Sequence, residues 1–245
     1  MALSSNTLTH FTQKKEALFG ILQGHFKIFF CKETVRLTKR RQWNFYAPMV
    51  SFCDIPMSEI KDHIEKYGSY GIGLTKEWAV KNGLNPVLYV SRESALSESY
   101  HAAMKYYVEG EEEESASLGE LALLDFFGYM KNYEARLDRK GTRIDKYRFS
   151  DEREWRFVPR HTDDNEVLVA RTTYEKNPSK YSNLYSDFEL KFEPDDIKYI
   201  IINDDSEIRE VINHLRATSG GKYSFDEVDR LTSRILTTEQ IKGDF

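Results

Sequence analysis

Tyr70-Gly71-Ile72-Gly73-Leu74 reads as a strand, and residues 76–81 follow it as a helix of one to two turns closed by Asn82-Gly83. Pro86 then opens a second strand, Val87-Leu88-Tyr89-Val90. Upstream, Met49-Val50-Ser51-Phe52-Cys53 reads as a short buried strand ended by Asp54-Ile55-Pro56. Residues 58–67 between them carry Ile60 and Ile64 on one helical face. At the start of the chain, strand-like Leu8-Thr9-His10-Phe11 enters a helix over residues 14–23, with Thr12 as N-cap and Gly24 as stop. Downstream, residues 94–109 and 118–134 read as helices, joined through Gly110 and the acidic run Glu111–Glu114. That run reads as a solvated connection or a partner site.

Strand patterns return at Trp155-Arg156-Phe157-Val158, at Phe188-Glu189-Leu190-Lys191-Phe192 and at Lys198-Tyr199-Ile200-Ile201-Ile202. Helices are expected over 205–216 and 225–236, with a turn at Ser219-Gly220-Gly221 between them. Strands broken by helices without regular alternation predict an α+β fold with a mixed or antiparallel central sheet. One domain over residues 1–245 is expected, with a helical insertion at 94–140 and a closing strand and helices at 198–245.

The 245 residues are 40% hydrophobic, with 15 Tyr and 15 Phe, which is enough for a substantial core. A net charge of -5 argues against a general nucleic-acid coat while leaving room for a local basic patch. Two cysteines, Cys31 and Cys53, are too few for a secreted disulfide scaffold and read as reduced thiols. The N-terminal residues are polar and no apolar run approaches a membrane span, so a cytoplasmic protein is expected.

Phosphate-binding GxxxxGK, HExxH, CxxC and GxSxG motifs are absent, and six scattered histidines lack ligand spacing, so no metal site is expected. Three polar clusters remain: His10-Phe11-Thr12, Ser51 to Pro56, and Asp151-Glu152-Arg153-Glu154-Trp155-Arg156. Each also has a purely structural reading, as a packed histidine, a turn serine or a surface ion pair. Glu152 and Glu154, two residues apart on an expected strand, would share a face. The segment Lys39-Arg40-Arg41-Gln42-Trp43-Asn44-Phe45-Tyr46 mixes cations and aromatics. Lys39, Arg40 and Arg41 could take phosphates while Trp43 or Tyr46 stacks on a base, or the aromatics could pack inward. A metal-dependent nuclease would need clustered carboxylates; Asp163-Asp164, Asp195-Asp196 and Asp204-Asp205 look instead like turn residues.

Taken in order, several strings resemble the AbiGi abortive phage-resistance proteins. They run from Leu8-x-His10-Phe11-Thr12 through Met49 to Pro56, Tyr67-Gly68-x-Tyr70-Gly71-Ile72-Gly73-Leu74, Lys76-Glu77-Trp78-Ala79 and Asn85 to Val90, and end at Glu154-Trp155-Arg156-Phe157. The resemblance covers roughly the first two-thirds of the chain, in a family that usually carries the label antitoxin. A more distant outline is similar to ADP-ribosyltransferases of the DarT-like kind. It implies a transferase toxin that uses NAD as substrate and modifies a nucleic-acid or protein acceptor. Under that resemblance His10, Thr12 and Ser51 would hold NAD, and Tyr67 or Tyr70 would stack on the nicotinamide ring. Glu154 would stabilise the oxocarbenium-like transition state, with Glu152 as its rival or helper. The alternative is a non-enzymatic antitoxin or sensor that binds a cognate toxin or a phage protein.

Overall fold

The computed structural model describes residues 5–39, 41–108, 118–139, 142–160, 168–218 and 223–244. The chain forms two compact units, neither of them one continuous stretch. Met1–Lys27, Ser51–Leu84 and Phe188–Phe245 make the first; Ile28–Val50 and Asn85–Asp187 make the second. Both mix helices with mainly antiparallel strands, so the α+β class expected from the sequence holds. Arg40, the acidic run Glu111–Glu114, the Asp163-Asp164 pair and the Ser219-Gly220-Gly221 turn lie outside the described residues. Among the described residues no helix is long and apolar enough to cross a membrane.

In the first unit the strand Thr7–Thr12 pairs antiparallel with Tyr70–Thr75, in register from Thr7 opposite Thr75 to Thr12 opposite Tyr70. Its other side meets the end of the long strand Gln42–Cys53, where Thr9 faces Cys53. Tyr70–Thr75 also pairs antiparallel with Ile197–Ile202, whose Ile200, Ile201 and Ile202 are fully buried. The β-branched run favours a strand because its stiff side chains pack well on a pleated surface.

Gly68 ends the helix Lys61–Tyr67 at φ 128, and a Cβ there would lie 2.2 Å from the Thr12 carbonyl oxygen. Only glycine lets the chain pass over Thr12 at this point. The helix Lys76–Lys81 forms where the sequence places it, capped by the Thr75 hydroxyl, which accepts from the Trp78 N–H.

The first helix, Lys15–Ile21, starts after Lys14 rather than Thr12 and has no side-chain cap. The last expected helix is also shorter: Phe225–Thr232 stops early, and Ile235–Thr237 becomes a strand parallel to Ile197–Ile202. The capping box of Ser224 and Glu227 fixes the helix start. Beyond it, Ile235 and Leu236 fit a helix face or a strand equally well, and pairing with Ile200 and Ile201 decides.

The second unit holds the hairpin Phe29–Arg36 with Gln42–Cys53, paired from Phe29 opposite Met49 to Arg36 opposite Gln42. The basic segment read as a possible loop is therefore mostly strand. The helix Leu118–Gly128 ends six residues before the expected position 134. Met130–Asn132 instead pairs parallel with Leu88–Val90, and backbone bonds from Leu88 N–H to the Tyr129 carbonyl and from Tyr133 N–H to the Val90 carbonyl extend that ladder. Helical spacing of the leucines ran up to the boundary, and the strand beyond it pairs with residues 42 positions away in sequence. Glu134–Arg139 and Thr142–Arg148 form a second hairpin, whose density of charges hid its alternation. Val35, Phe45, Val90, Met104, Phe127 and Val158 belong to one buried core in this unit.

Candidate functional site

Strand alternation along Glu154–Phe157 puts Glu154 and Arg156 on the same, inward face. Arg156 is fully buried, and each of its three guanidinium nitrogens has a hydrogen-bond partner. Nε donates to Glu154 Oε1 at 2.6 Å, and Nη1 to the Gly128 carbonyl at 3.0 Å. Nη2 donates to Glu33 Oε1 at 2.7 Å and to Glu154 Oε2 at 3.2 Å. Lys131 approaches from the Met130–Asn132 strand, donating to Glu154 Oε2 at 2.7 Å and Glu152 Oε2 at 2.9 Å. Its ammonium also lies 4.8 Å from the centre of the Phe149 ring.

Three carboxylates and two cations thus meet in a nearly dry interior. Burial pushes the Glu154 carboxyl up, but Arg156 and Lys131 outweigh it and hold the group well below the ordinary carboxylate range. Burial likewise lowers Lys131, and Glu154, Glu152 and Glu33 more than compensate, so the ammonium stays charged. Nearby, burial followed by the Glu33 charge pushes the Cys31 thiol up to about 11, which leaves it protonated and a poor nucleophile. The backbone of Glu154 is also fixed: its N–H donates to the Tyr89 hydroxyl at 2.8 Å and its carbonyl accepts from Val87 N–H.

The sequence put Glu152 and Glu154 on one strand. Glu152 instead ends the 3-10 turn Phe149–Glu152, and Arg153 takes a left-handed conformation at φ 43 before the strand begins. The two carboxylates still converge, because Lys131 binds both rather than because the strand repeats every second residue.

The other expected residues fall as follows. His10, on Thr7–Thr12, donates through Nδ1 to the Ser51 carbonyl, 2.8 Å away. The carbonyl being an acceptor only, Nδ1 carries the proton. Ser51 thus contributes its backbone to this contact. The ring packs against Phe26 at 5.2 Å and Phe52 at 5.6 Å. Burial lowers the imidazole below its ordinary value of 6.5, and the bond to Ser51 offsets this only in part. Thr12 lies opposite Tyr70, whose hydroxyl donates to Glu207 at 2.9 Å and is pushed up to about 12 by burial and by that carboxylate. Tyr67 stacks on His63, with ring centres 5.3 Å apart.

His10 and Ser51 come together, as do Thr12 and Tyr70, all within the first unit. Glu152, Glu154, Lys39, Arg41 and Trp43 belong to the second. Lys39 pairs with Glu93 at 3.2 Å, and Arg41 lies over the Trp43 ring at 5.2 Å. The indole is partly buried and packed edge-on against Phe127 at 5.9 Å. Glu33, Lys131 and Asn132 were missed. They stand 123, 23 and 96 residues from the residues they bond, Arg156, Glu154 and Arg36, and no local pattern marks them. The one legible sign was the charged pair Glu154-x-Arg156 inside an otherwise apolar strand.

No solved structure matches the chain. A protein of Lactococcus lactis subsp. cremoris, "Abortive phage resistance protein AbiGi", is 27% identical over 237 residues, spanning 85% of this chain and 92% of that protein. The family model described as "abortive phage resistance protein AbiGi, antitoxin" matches residues 26–203, well over half of the sequence. On that match, the chain belongs to the AbiGi family.

Proposed function

We propose that this protein is the non-enzymatic, partner-binding component of an abortive phage-defence system, an antitoxin in the sense of its family's description. The observation that carries the reading is the commitment of Glu154. A carboxylate that stabilises an oxocarbenium ion must turn an oxygen toward the substrate in a preorganised site. Both oxygens of Glu154 already accept from Arg156 and Lys131, within 2.6–3.2 Å, and the residue is buried. Freeing one of them would leave a buried cation without its partner, at a cost of several kcal/mol. A structural carboxylate suits a protein that works by presenting a stable surface to a second macromolecule.

The test is expression of the chain alone and beside the toxin encoded at its own defence locus. Harmless expression alone, with growth restored when the two are made together, is the expected result. The transferase reading would prevail if the chain poisons cells by itself, or if the purified protein moves label from NAD onto DNA, RNA or protein. In that case Glu154→Gln and His10→Ala would each have to abolish transfer in folded protein.

A further inference from the structure

Among the described residues the strand Phe29–Arg36 pairs on one side only, with Gln42–Cys53. The direction of its unpaired side is fixed by Asn132. The Asn132 Oδ1 accepts from the Arg36 N–H, and its Nδ2 donates to the Arg36 carbonyl, both at 2.8 Å. Both backbone groups of Arg36 therefore point away from the hairpin. In an antiparallel ladder this sense repeats at every second residue, so Thr34, Lys32 and Phe30 present their N–H and carbonyl groups to the same outer edge. Asn132 does with a side-chain amide what an added strand would do with its backbone, and it closes the edge at Arg36.

Exposure agrees with this geometry. Lys32 and Thr34 are exposed, and Cys31 and Glu33, which face the interior, remain only half-buried. Phe29, at the open end, is 67% exposed.

Charge selects the occupant. Lys32 sits at the centre of the open edge and makes no ion pair among the described residues, unlike Lys39. Two copies of this chain joined antiparallel over the open stretch, Phe30 opposite Thr34, would set Lys32 against Lys32, and like charges directly opposite destabilise a strand pair. We infer that the outer edge of Phe29–Arg36 is a docking site for an extended, acidic segment of a partner protein, added as a strand with a carboxylate opposite Lys32. This names the surface for the partner-binding role proposed above, and its test does not depend on that role.

The full-length protein is titrated with eight-residue peptides of alternating Thr and Val, one carrying a central Glu, one a central Lys, and one the Glu peptide N-methylated at every second residue. Fluorescence anisotropy should give the Glu peptide a Kd about fivefold or more below that of the Lys peptide. N-methylation should abolish binding, because it removes the ladder donors. Lys32→Glu, a change at an exposed position, should reverse the preference.

Equal binding of the two peptides, survival of binding after N-methylation, or an unchanged preference in Lys32→Glu would overturn the inference. So would no binding by any peptide, which would make Lys32 a guard that keeps the edge unpaired. A concentration-dependent dimer that forms in Lys32→Thr and not in the wild type would sustain the charge argument, whereas a wild-type dimer blocked by the Glu peptide would assign the edge to a second copy. A short RNA that displaces the Glu peptide would assign it to nucleic acid. Failure of toxin neutralisation with the peptide results intact would remove the antitoxin reading and leave the edge standing.

Discussion

His10 and Arg156 are both polar side chains set into the interior of a unit, and they are accommodated by opposite means. Around His10 the first unit places Phe26 and Phe52, with Trp78 and Phe192 packed in turn on Phe26, and one bond to the Ser51 carbonyl anchors the ring. Around Arg156 the second unit places Glu33, Glu154 and the Gly128 carbonyl, and it holds a second cation, Lys131, on the same carboxylate. The aromatic interior is nondirectional and loses stability in proportion to what is removed. The ionic interior depends on every member, because removal of one strands the others without water.

The sharpest way to break that contrast is Arg156→Met. It leaves three carboxylates facing one ammonium and should cost about 3–5 kcal/mol in urea unfolding of the full chain. A loss under about 1 kcal/mol would mean the network relaxes as easily as an apolar core. Phe26→Ala should cost about 3–4 kcal/mol through lost burial and the cavity left, with no added dependence on pH.

Glu154→Gln should cost about 2–3 kcal/mol at neutral pH, and its loss has a characteristic pH signature. The folded carboxyl lies below its ordinary value of 4.5, so the native state binds fewer protons than the unfolded chain. Its contribution is present above about 4.5 and is lost as the pH falls toward the folded value. The Gln variant should therefore show a flatter acid limb in denaturation from pH 5 to 3.

A fourth measurement compares two glycines of the first unit. Gly68→Ala, against the Thr12 carbonyl, should cost about 2 kcal/mol or more, whereas Gly83→Ala, at φ 74 with open space beside it, should cost about 1 kcal/mol. The smallest effect is expected at His10. Its folded imidazole titrates below 6.5, so the native state rejects the proton and stability is lost as pH falls from about 6.5 through the folded value. His10→Gln should remove that slope between pH 7 and 5 in thermal unfolding. An unchanged slope would assign it to another group.

Much of the element pattern was legible. The strands at His10, at Tyr70–Thr75 and at Ile197–Ile202, and the helix Lys76–Lys81, follow from apolar periodicity and from stop signals that act within a few residues. The errors lie where a local pattern allowed two outcomes. Leu236 could continue a helix or join a strand, and Met130 could extend the leucine-spaced helix or pair with Leu88. The basic stretch around Trp43 read as loop or interface because charge and aromatic content do not reveal that Trp43 faces Val35 across a hairpin.

The candidate site was visible in part. Glu154 and Arg156 were legible as charges on one strand, with a surface ion pair as one reading, and nothing near them announces Lys131 or Glu33. Sequence by itself determined the α+β class, the runs that become strands and helices, and membership of the AbiGi family, because these depend on residue order along the chain. Only the tertiary structure decided that Glu154 is consumed in an ion network, that Glu152 reaches it through Lys131, and that Asn132 stands in for a missing strand at Arg36. Those outcomes are pairings across tens of residues, and a buried charge acquires its role from the partner that the chain's path brings to within about 3 Å.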